Sequence, residues 1–212
     1  MAPLEKFSAA LQKLPLVAIL RGLTPVEAPS IGDALVNAGF ALLEVPLNSP
    51  EPLKSIALLS QQHPMALVGA GTVLTPAQVR EVHAAGGGLI VSPNFNADVV
   101  REAVRLGMVC LPGIMTPTEA FAALAAGAHG LKLFPAELAS PAVVKAMLAV
   151  LPAGTLMLPV GGIGADNMAA WFGAGAQGFG IGSSLYKPGK SAASVQIDAT
   201  IFKANYQALT RA

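Results

Sequence analysis

Residues 66–91 read ALVGAGTVLTPAQVREVHAAGGGLIV and contain one complete structural unit. The unit opens with an apolar run that is too short for a helix and is typical of a buried strand. Thr75 then supplies a hydroxyl N-cap, and Pro76 occupies the first helical position, where proline is favoured. Apolar residues at helical spacing follow as far as Gly86, a residue type that ends many helices. The run Leu89–Val91 begins the next predicted strand.

The same unit recurs from one end of the chain to the other. The apolar runs that we predict as strands are Leu16–Leu20, Ala41–Val45, Ala66–Gly69, Leu89–Val91, Met108–Leu111, Leu131–Phe134, Leu156–Val160 and Gly178–Ile181. The hydroxyl-proline pairs that we predict as helix starts are Thr24-Pro25, Ser49-Pro50, Thr75-Pro76, Thr116-Pro117 and Ser140-Pro141. This alternation predicts the α/β class and a single domain, residues 1–212, folded as a (β/α)8 barrel with an extra N-terminal helix. A doubly wound open sheet is the alternative, but it needs fewer such units.

The composition describes a protein with a large apolar core and few charges. Of the 212 residues, 53% are hydrophobic and 12% are charged, and the net charge is +1. No cluster of Lys or Arg is present, so neither nucleic acid nor a membrane is expected as a partner. No apolar run reaches the ~18 residues that a spanning helix needs. Met1–Leu14 mixes charged with apolar residues, which predicts an amphipathic helix rather than a signal peptide, and we expect a cytoplasmic protein.

The cysteine and histidine residues offer little chemistry. Cys110 is the only cysteine, which excludes an internal disulfide and a cysteine-based zinc cluster. It lies within the apolar run Met108–Leu111, so we interpret it as a core residue rather than a nucleophile. None of the three histidines has a carboxylate at metal-ligand spacing. We therefore expect no metal site and no metal-dependent mechanism.

Lys132 interrupts the apolar segment GLKLFP, residues 130–135. A lysine in a strand buried on both faces is costly unless it is paired or neutral. Burial lowers the pKa of the ammonium, and the neutral amine can then attack a carbonyl group. The alternative is a structural lysine whose stem is buried and whose charged head reaches solvent.

The ends of the other predicted strands favour the functional interpretation. In a barrel of this kind the active site lies at the carboxyl ends of the strands. The unexpected polar residues and glycine pairs at or near those ends are Arg21, Glu44, Gly71-Thr72, Ser92-Pro93-Asn94, Lys132, Gly161-Gly162 and Gly182-Ser183. Residues placed by chance would fall at both ends of the strands, so this alignment points to a site that includes Lys132.

Each of these residue types suggests a role. Glu44 can hold and transfer protons if its pKa lies near the working pH, and the fork of Arg21 fits a substrate carboxylate. A purely structural ion pair of Glu44 with Arg21 or Lys132 is the alternative. The glycine-rich segments 161–162 and 182–183 follow strands seven and eight, where barrel enzymes often bind phosphate through backbone amides. Ordinary turn glycines are the alternative there.

Several segments together resemble a known family. They are PLVAILRG (15–22), EVPLNSP (44–50), GAGTV (69–73), LKLFPA (131–136) and VGG (160–162). In this order they resemble the bacterial KDPG/KHG aldolases, class I aldolases that cleave 2-keto-3-deoxy-6-phosphosugar acids. The resemblance covers nearly the whole chain. It implies a homotrimer that binds a small phosphorylated keto acid and uses no cofactor.

The resemblance also implies roles for individual residues. Lys132 would form the Schiff base and Glu44 would shuttle protons. Arg21 and Thr72 would bind the keto-acid end of the substrate, and Pro93 would also contact the substrate. The phosphate would be bound by Gly161, Gly162, Gly182 and Ser183.

Two positions depart from the gluconate branch of the family. That branch typically has Thr before the Gly-Gly of strand seven and Arg in the Glu-x-x-x-Arg segment of strand two, whereas this chain has Val160 and Asn48. Both departures resemble the galactonate branch, whose substrate is the C4 epimer. The alternatives are neutral drift within one specificity, or 4-hydroxy-2-oxoglutarate as substrate. More distant ones are a phosphate-binding isomerase or synthase and an inactive barrel that serves as a binding or regulatory module.

Overall fold

A computed structural model of the chain describes residues 1–211, in which helices alternate with parallel strands. The strands are β1 (Leu16–Ile19), β2 (Leu42–Pro46), β3 (Leu67–Gly71), β4 (Leu89–Val91), β5 (Val109–Leu111), β6 (Gly113–Ile114), β7 (Leu131–Leu133), β8 (Met157–Pro159) and β9 (Phe179–Ile181). The helices are α1 (Pro3–Lys13), α2 (Ala28–Ala38), α3 (Pro52–Gln62), α4 (Pro76–Ala84), α5 (Ala97–Arg105), α6 (Pro117–Ala125), α7 (Pro141–Leu148), α8 (Met168–Gly173) and α9 (Ala192–Leu209). A 3₁₀ turn covers Ala136–Leu138.

The strands pair in two parallel sheets. Their orders are β5-β4-β3-β2-β1-β9 and β6-β7-β8. Pro112 alone separates β5 from β6, and proline has no N–H to donate to a neighbouring strand. At the other end of the smaller sheet, Val160 forms an isolated parallel bridge with Gly180 of β9. The predicted α/β class with parallel strands and an extra N-terminal helix is confirmed. The predicted fifth strand, Met108–Leu111, corresponds to β5, and the short strand β6 after Pro112 was not predicted.

One end of the strand assembly is packed with apolar side chains. Inward-facing residues of successive strands form a cluster that also includes Phe7 and Ala10 of α1. Its other buried members are Val17, Leu42, Leu67, Leu89, Val91, Val109, Leu111 and Leu158. The amphipathic helix predicted for residues 1–14 therefore packs against this interior.

Two of the five predicted hydroxyl N-caps are wrong, because α2 and α3 begin further along the chain. The side chains of Thr24 and Ser49 stabilise loops instead. Thr24 Oγ1 donates to Glu27 Oε2 over 2.6 Å, and Ser49 Oγ accepts the N–H of Gly22 over 2.9 Å. Thr75 and Thr116 cap α4 and α6 through their hydroxyl groups, as predicted. Ser140 occupies the predicted N-cap position of α7, but its side chain makes no capping hydrogen bond.

The buried polar groups away from the strand ends carry no reactive chemistry. Cys110 is fully buried, and burial raises the pKa of its thiol to about 12, as expected of a core residue. Within residues 1–211, no cluster of three or more His, Cys, Asp or Glu side chains could hold a metal ion. In the same residues, none of the helices combines the length and the apolar character that crossing a membrane requires.

Candidate active site

Lys132 and Glu44 are buried together inside the strand assembly. Lys132 lies in β7 and is 7% exposed, and Glu44 lies in β2 and is 2% exposed. Both side chains line the same small interior space, next to Val160. Burial lowers the pKa of the Lys132 ammonium, although the nearby charge of Glu44 acts in the opposite direction. Burial also raises the pKa of the Glu44 carboxyl, against the opposing charge of Lys132. Both groups therefore titrate closer to neutrality than usual.

The position of the Glu44 carboxylate depends on a glycine in the neighbouring strand. A Cβ atom added to Gly71 would lie 2.3 Å from Glu44 Oε2, so any larger residue would compete with the carboxylate for space. Glu44 Oε2 has no hydrogen-bond partner within residues 1–211. A buried carboxylate oxygen without a donor is costly, which fits a group kept for chemistry rather than for stability.

The Lys132 ammonium faces an aromatic ring. Its Nζ lies 4.5 Å from the centre of the Phe134 ring, a distance typical of a cation–π contact. Neither Lys132 nor Arg21 lies within 4.0 Å of a carboxylate oxygen in residues 1–211. The structural ion-pair interpretation therefore finds no support. Arg21 Nη1 instead donates to Asn48 Oδ1 over 3.0 Å, and both side chains are exposed.

A cavity of about 530 Å³ opens at the carboxyl ends of β1, β8 and β9. Of the predicted site residues, it is lined by Arg21, Val160, Gly161, Gly162, Gly182 and Ser183. Val160 borders both this cavity and the interior space beside Lys132. It is therefore the residue at which the two parts of the site meet.

The floor of the cavity presents backbone amides. Gly161 and Gly162 have φ angles of 107° and 64°, which L side chains rarely adopt. The N–H groups of Gly161, Gly162 and Ser183 donate to no acceptor within the part of the chain described. Unpaired backbone amides beside a cavity are a feature typical of sites that bind anions such as phosphate.

A family model described as KDPG and KHG aldolase matches residues 7–199. The chain belongs to this aldolase family. A probable 2-dehydro-3-deoxy-6-phosphogalactonate aldolase of Rhizobium meliloti (strain 1021) is 50% identical over 196 residues, 92% of each chain. The 2-dehydro-3-deoxy-6-phosphogalactonate aldolase of Escherichia coli (strain K12) is 46% identical, over 92% of this chain and 96% of its own. A 2-dehydro-3-deoxy-phosphogluconate aldolase of Treponema pallidum (strain Nichols) is 35% identical, over 68% of this chain and 69% of its own.

Solved structures extend the likeness to three dimensions. A structure described as native KDPGal superposes with a TM-score of 0.93 at 45% identity, and the match covers 94% of this aldolase and 98% of that chain. A cube-shaped, porous cage designed by fusing symmetric oligomeric domains matches with a TM-score of 0.92 at 45% identity, over 94% of this chain and 74% of that one. The structural neighbours of this aldolase thus include oligomeric assemblies.

Three predicted residues of the aldolase line neither the large cavity nor the interior space beside Lys132. Thr72 and Pro93 follow β3 and β4, and Asn48 reaches the cavity only through its contact with Arg21. Thr72 has a φ of 58°, in the left-handed region that a β-branched residue seldom occupies. Such strain costs roughly 1–3 kcal/mol and concentrates at functional sites, so Thr72 remains a candidate for binding substrate.

Sequence reasoning missed several residues that line the cavity of this aldolase. Lys187 adds a cation, Tyr186 lines the cavity with its hydroxyl buried, and Glu137 adds a carboxylate. The Glu137 side chain lies against the Gly161 turn, where an added Cβ would meet its Oε2 at 2.0 Å. The one available signal was Lys187, a basic residue shortly after the Gly182-Ser183 segment that we had assigned to phosphate.

Proposed function

We propose that this chain is a class I aldolase that cleaves 2-dehydro-3-deoxy-6-phosphogalactonate to pyruvate and D-glyceraldehyde 3-phosphate. The observation that carries the proposal is the buried pair Lys132 and Glu44 beside a cavity lined by glycine-rich loops. Membership of the aldolase family supports the chemistry. The higher identity to the two galactonate relatives, 50% and 46% against 35% for the gluconate relative, supports the choice of epimer.

The first step is attack of neutral Lys132 Nζ on the C2 carbonyl of the substrate. Loss of water then gives an iminium ion, which accepts electrons from the bond that breaks. Burial assists this step because the lowered pKa of Lys132 increases the share of neutral amine near neutral pH. These steps need neither a metal nor an organic cofactor, since the iminium itself is the electron sink.

Glu44 performs the proton transfers in the proposed reaction. Through a water molecule it removes the proton of the C4 hydroxyl, the C3–C4 bond breaks, and glyceraldehyde 3-phosphate leaves as the aldehyde. The bonding electrons form an enamine on Lys132, which is protonated at C3. Hydrolysis of the resulting iminium releases pyruvate and regenerates the amine.

The other predicted site residues are assigned to the two ends of the substrate, the keto acid and the phosphate. We assign the keto-acid end to Arg21 and Thr72, with Pro93 beside them, because a guanidinium and a hydroxyl match a carboxylate. We assign the phosphate to the backbone of Gly161, Gly162, Gly182 and Ser183. Val160 and Asn48 are the proposed specificity residues, Val160 next to the C4 hydroxyl and Asn48 through its hydrogen bond to Arg21.

We further propose that residues 1–212 form one domain, a closed (β/α)8 barrel that assembles as a homotrimer. The single-residue gap between β5 and β6 and the bridge from Val160 to Gly180 support closure. Val26 and Leu138 are 90% and 80% exposed, and a neighbouring subunit would cover such apolar side chains. The cytoplasm is the expected compartment, because phosphorylated substrates do not cross membranes unaided.

Reduction of the Schiff base tests the proposal directly. The protein is incubated with pyruvate and borohydride, digested, and analysed by mass spectrometry. We expect a reduced pyruvate adduct on the peptide that contains Lys132, and pyruvate release from the phosphogalactonate substrate in an unreduced sample. Borohydride without pyruvate is the control. An unmodified Lys132 peptide would remove the Schiff-base mechanism.

A further inference from the structure

Two loops at the mouth of the cavity are joined by one carboxylate. Glu27, in the loop after β1, accepts the N–H of Gly189, in the loop after β9, over 3.4 Å through Oε1. Its Oε2 accepts the backbone N–H of Thr24 over 3.2 Å and the Thr24 hydroxyl over 2.6 Å. Residues 162 positions apart in sequence are thus held together, while the same side chain fixes its own loop.

Close packing accompanies this hydrogen bond. Gly22, with a φ of 82°, lies so near the second loop that an added Cβ would be 2.6 Å from Pro188 Cγ. Tyr186 is 2% exposed, and its hydroxyl makes no hydrogen bond of normal geometry within residues 1–211. Burial, and after it the charge of Glu27, raise the pKa of Tyr186 to about 12, so the phenol stays neutral. The segment Tyr186–Gly189 is therefore held at both ends.

The segment Tyr186–Gly189 contributes a cation, Lys187, to the lining of the cavity. Lys187 and Pro188 lie between the two fixed residues, and both line the cavity of about 530 Å³. The other charged side chains on the wall are Arg21, Glu137 and Asp166. Lys187 lines this cavity together with Gly182 and Ser183, whereas the Arg21 guanidinium, which also lines it, already donates to Asn48 Oδ1.

We propose that Glu27 is a positioning residue that fixes the loop after β9, and that Lys187 on this loop binds the phosphate group of the substrate. The identity of the ligand rests on the proposed function, but the binding of a phosphate anion does not. The backbone amides of the glycine segments supply hydrogen-bond donors but no full charge, and the Lys187 ammonium supplies a positive charge.

The chain contains a matched control for Glu27. Glu119 makes the same local contacts, since its Oε2 accepts the backbone N–H and the hydroxyl of Thr116. Its additional contact, to the N–H of Met115, is also local, and it makes none to the loop after β9. Glu119→Ala therefore removes equivalent local contacts, while Glu27→Ala removes both the local contacts and the contact between loops.

The binding of inorganic phosphate, measured by calorimetry, tests the role of Lys187. We expect Lys187→Met to weaken binding roughly tenfold or more, because a charge-assisted hydrogen bond is lost, and Lys187→Arg to restore most of it. Lys13→Met, at the end of α1, removes one positive charge far from the cavity and should change binding little. Equal affinities in wild type and Lys187→Met would overturn the assignment.

The role of Glu27 is tested by combining variants. Glu27→Ala should weaken phosphate binding about threefold to tenfold, more than Glu119→Ala does, and should have little further effect when Lys187 is already Met. Glu27→Gln, which keeps an acceptor, should have a smaller effect and serves if the alanine variant folds poorly. Additive effects of Glu27→Ala and Lys187→Met would show that Glu27 does not act through Lys187.

The same variants separate this inference from the proposed function. If pyruvate is never released from the phosphogalactonate substrate, yet phosphate binding falls in Lys187→Met as described, the aldolase proposal fails and the loop inference stands. If the substrate is cleaved with an unchanged KM in Lys187→Met and phosphate binding is also unchanged, the loop inference fails alone.

Discussion

The site has two parts that are built in opposite ways. Beside β2 and β7, two ionisable side chains are buried among apolar residues, and their pKa values are shifted by the loss of water. Beyond β8 and β9, the useful groups include backbone amides at the wall of an open cavity, and several residues there are glycines. The first part depends on which side chain is present. The backbone amides of the second depend on side chains being absent at its glycines, so the two parts should respond differently to substitution.

Lys132→Arg should have the largest effect. A guanidinium stays protonated and cannot attack a ketone, so we expect no detectable turnover and no reducible pyruvate adduct. Binding of inorganic phosphate should persist, since the glycine segments are intact. The measurements are pyruvate release and calorimetry on the same preparation. Turnover close to wild type would show that catalysis does not depend on a buried amine.

Gly161→Ala should impair the cavity beyond β8 and β9 while leaving the buried pair Lys132 and Glu44 functional. The φ of 107° and the contact with Glu137 strain any side chain there, at a cost of roughly 1–3 kcal/mol, so we expect the KM for the phosphorylated substrate to rise about tenfold to a hundredfold. The Lys132 adduct with pyruvate should still form. Gly154→Ala, also at positive φ but with open space around it, is the control and should leave KM unchanged. A lost adduct in Gly161→Ala would mean that the two parts are not independent.

The dependence of kcat/KM on pH should reflect the ionisation of Lys132 and Glu44. Neutral Lys132 and ionised Glu44 are the active forms, so kcat/KM should rise with pH. Because burial lowers the pKa of Lys132 from 10.5 and raises that of Glu44 from 4.5, both rises should fall between pH 4.5 and 10.5. Glu44→Gln should remove one of the two rises and reduce the rate by about 10²–10⁴. A profile that climbs until pH 10.5 would indicate a lysine with its ordinary pKa.

Val160→Thr should have the smallest effect, at the point where the two parts meet. The wild type should cleave the phosphogalactonate compound faster than its C4 epimer. A threonine hydroxyl could add one hydrogen bond, worth roughly 0.5–1.5 kcal/mol, so the ratio of kcat/KM values should narrow by about a few-fold to tenfold. Val160→Ile, which adds volume without a hydroxyl, is the control. A wild-type preference for the gluconate epimer would show that the branch is wrongly assigned.

The sequence revealed the first part of the site more completely than the second. Lys132 and Glu44 were visible because a charged residue in an apolar strand is anomalous whatever it contacts. Lys187 was not, since a lysine in a polar loop looks ordinary until the fold brings it to a cavity. The predicted helix start at Thr24 is wrong for a similar reason. In the folded loop the Thr24 hydroxyl donates to Glu27 instead of capping a helix, and the sequence pattern does not show this contact. The break between β5 and β6 depends on pairing geometry, which periodicity does not report.

The contact between Gly71 and Glu44 has a consequence for laboratory evolution. An added Cβ at position 71 would occupy the place of the carboxylate, so β3 cannot accept a side chain there while β2 keeps its acid. A saturation library of position 71 should therefore retain only glycine among active clones. In a library that varies both positions, other residues at 71 should survive only where Glu44 has been shortened or lost, and these clones should be folded but inactive. Changing the aldehyde specificity of this scaffold is better begun at Val160, which borders both parts of the site.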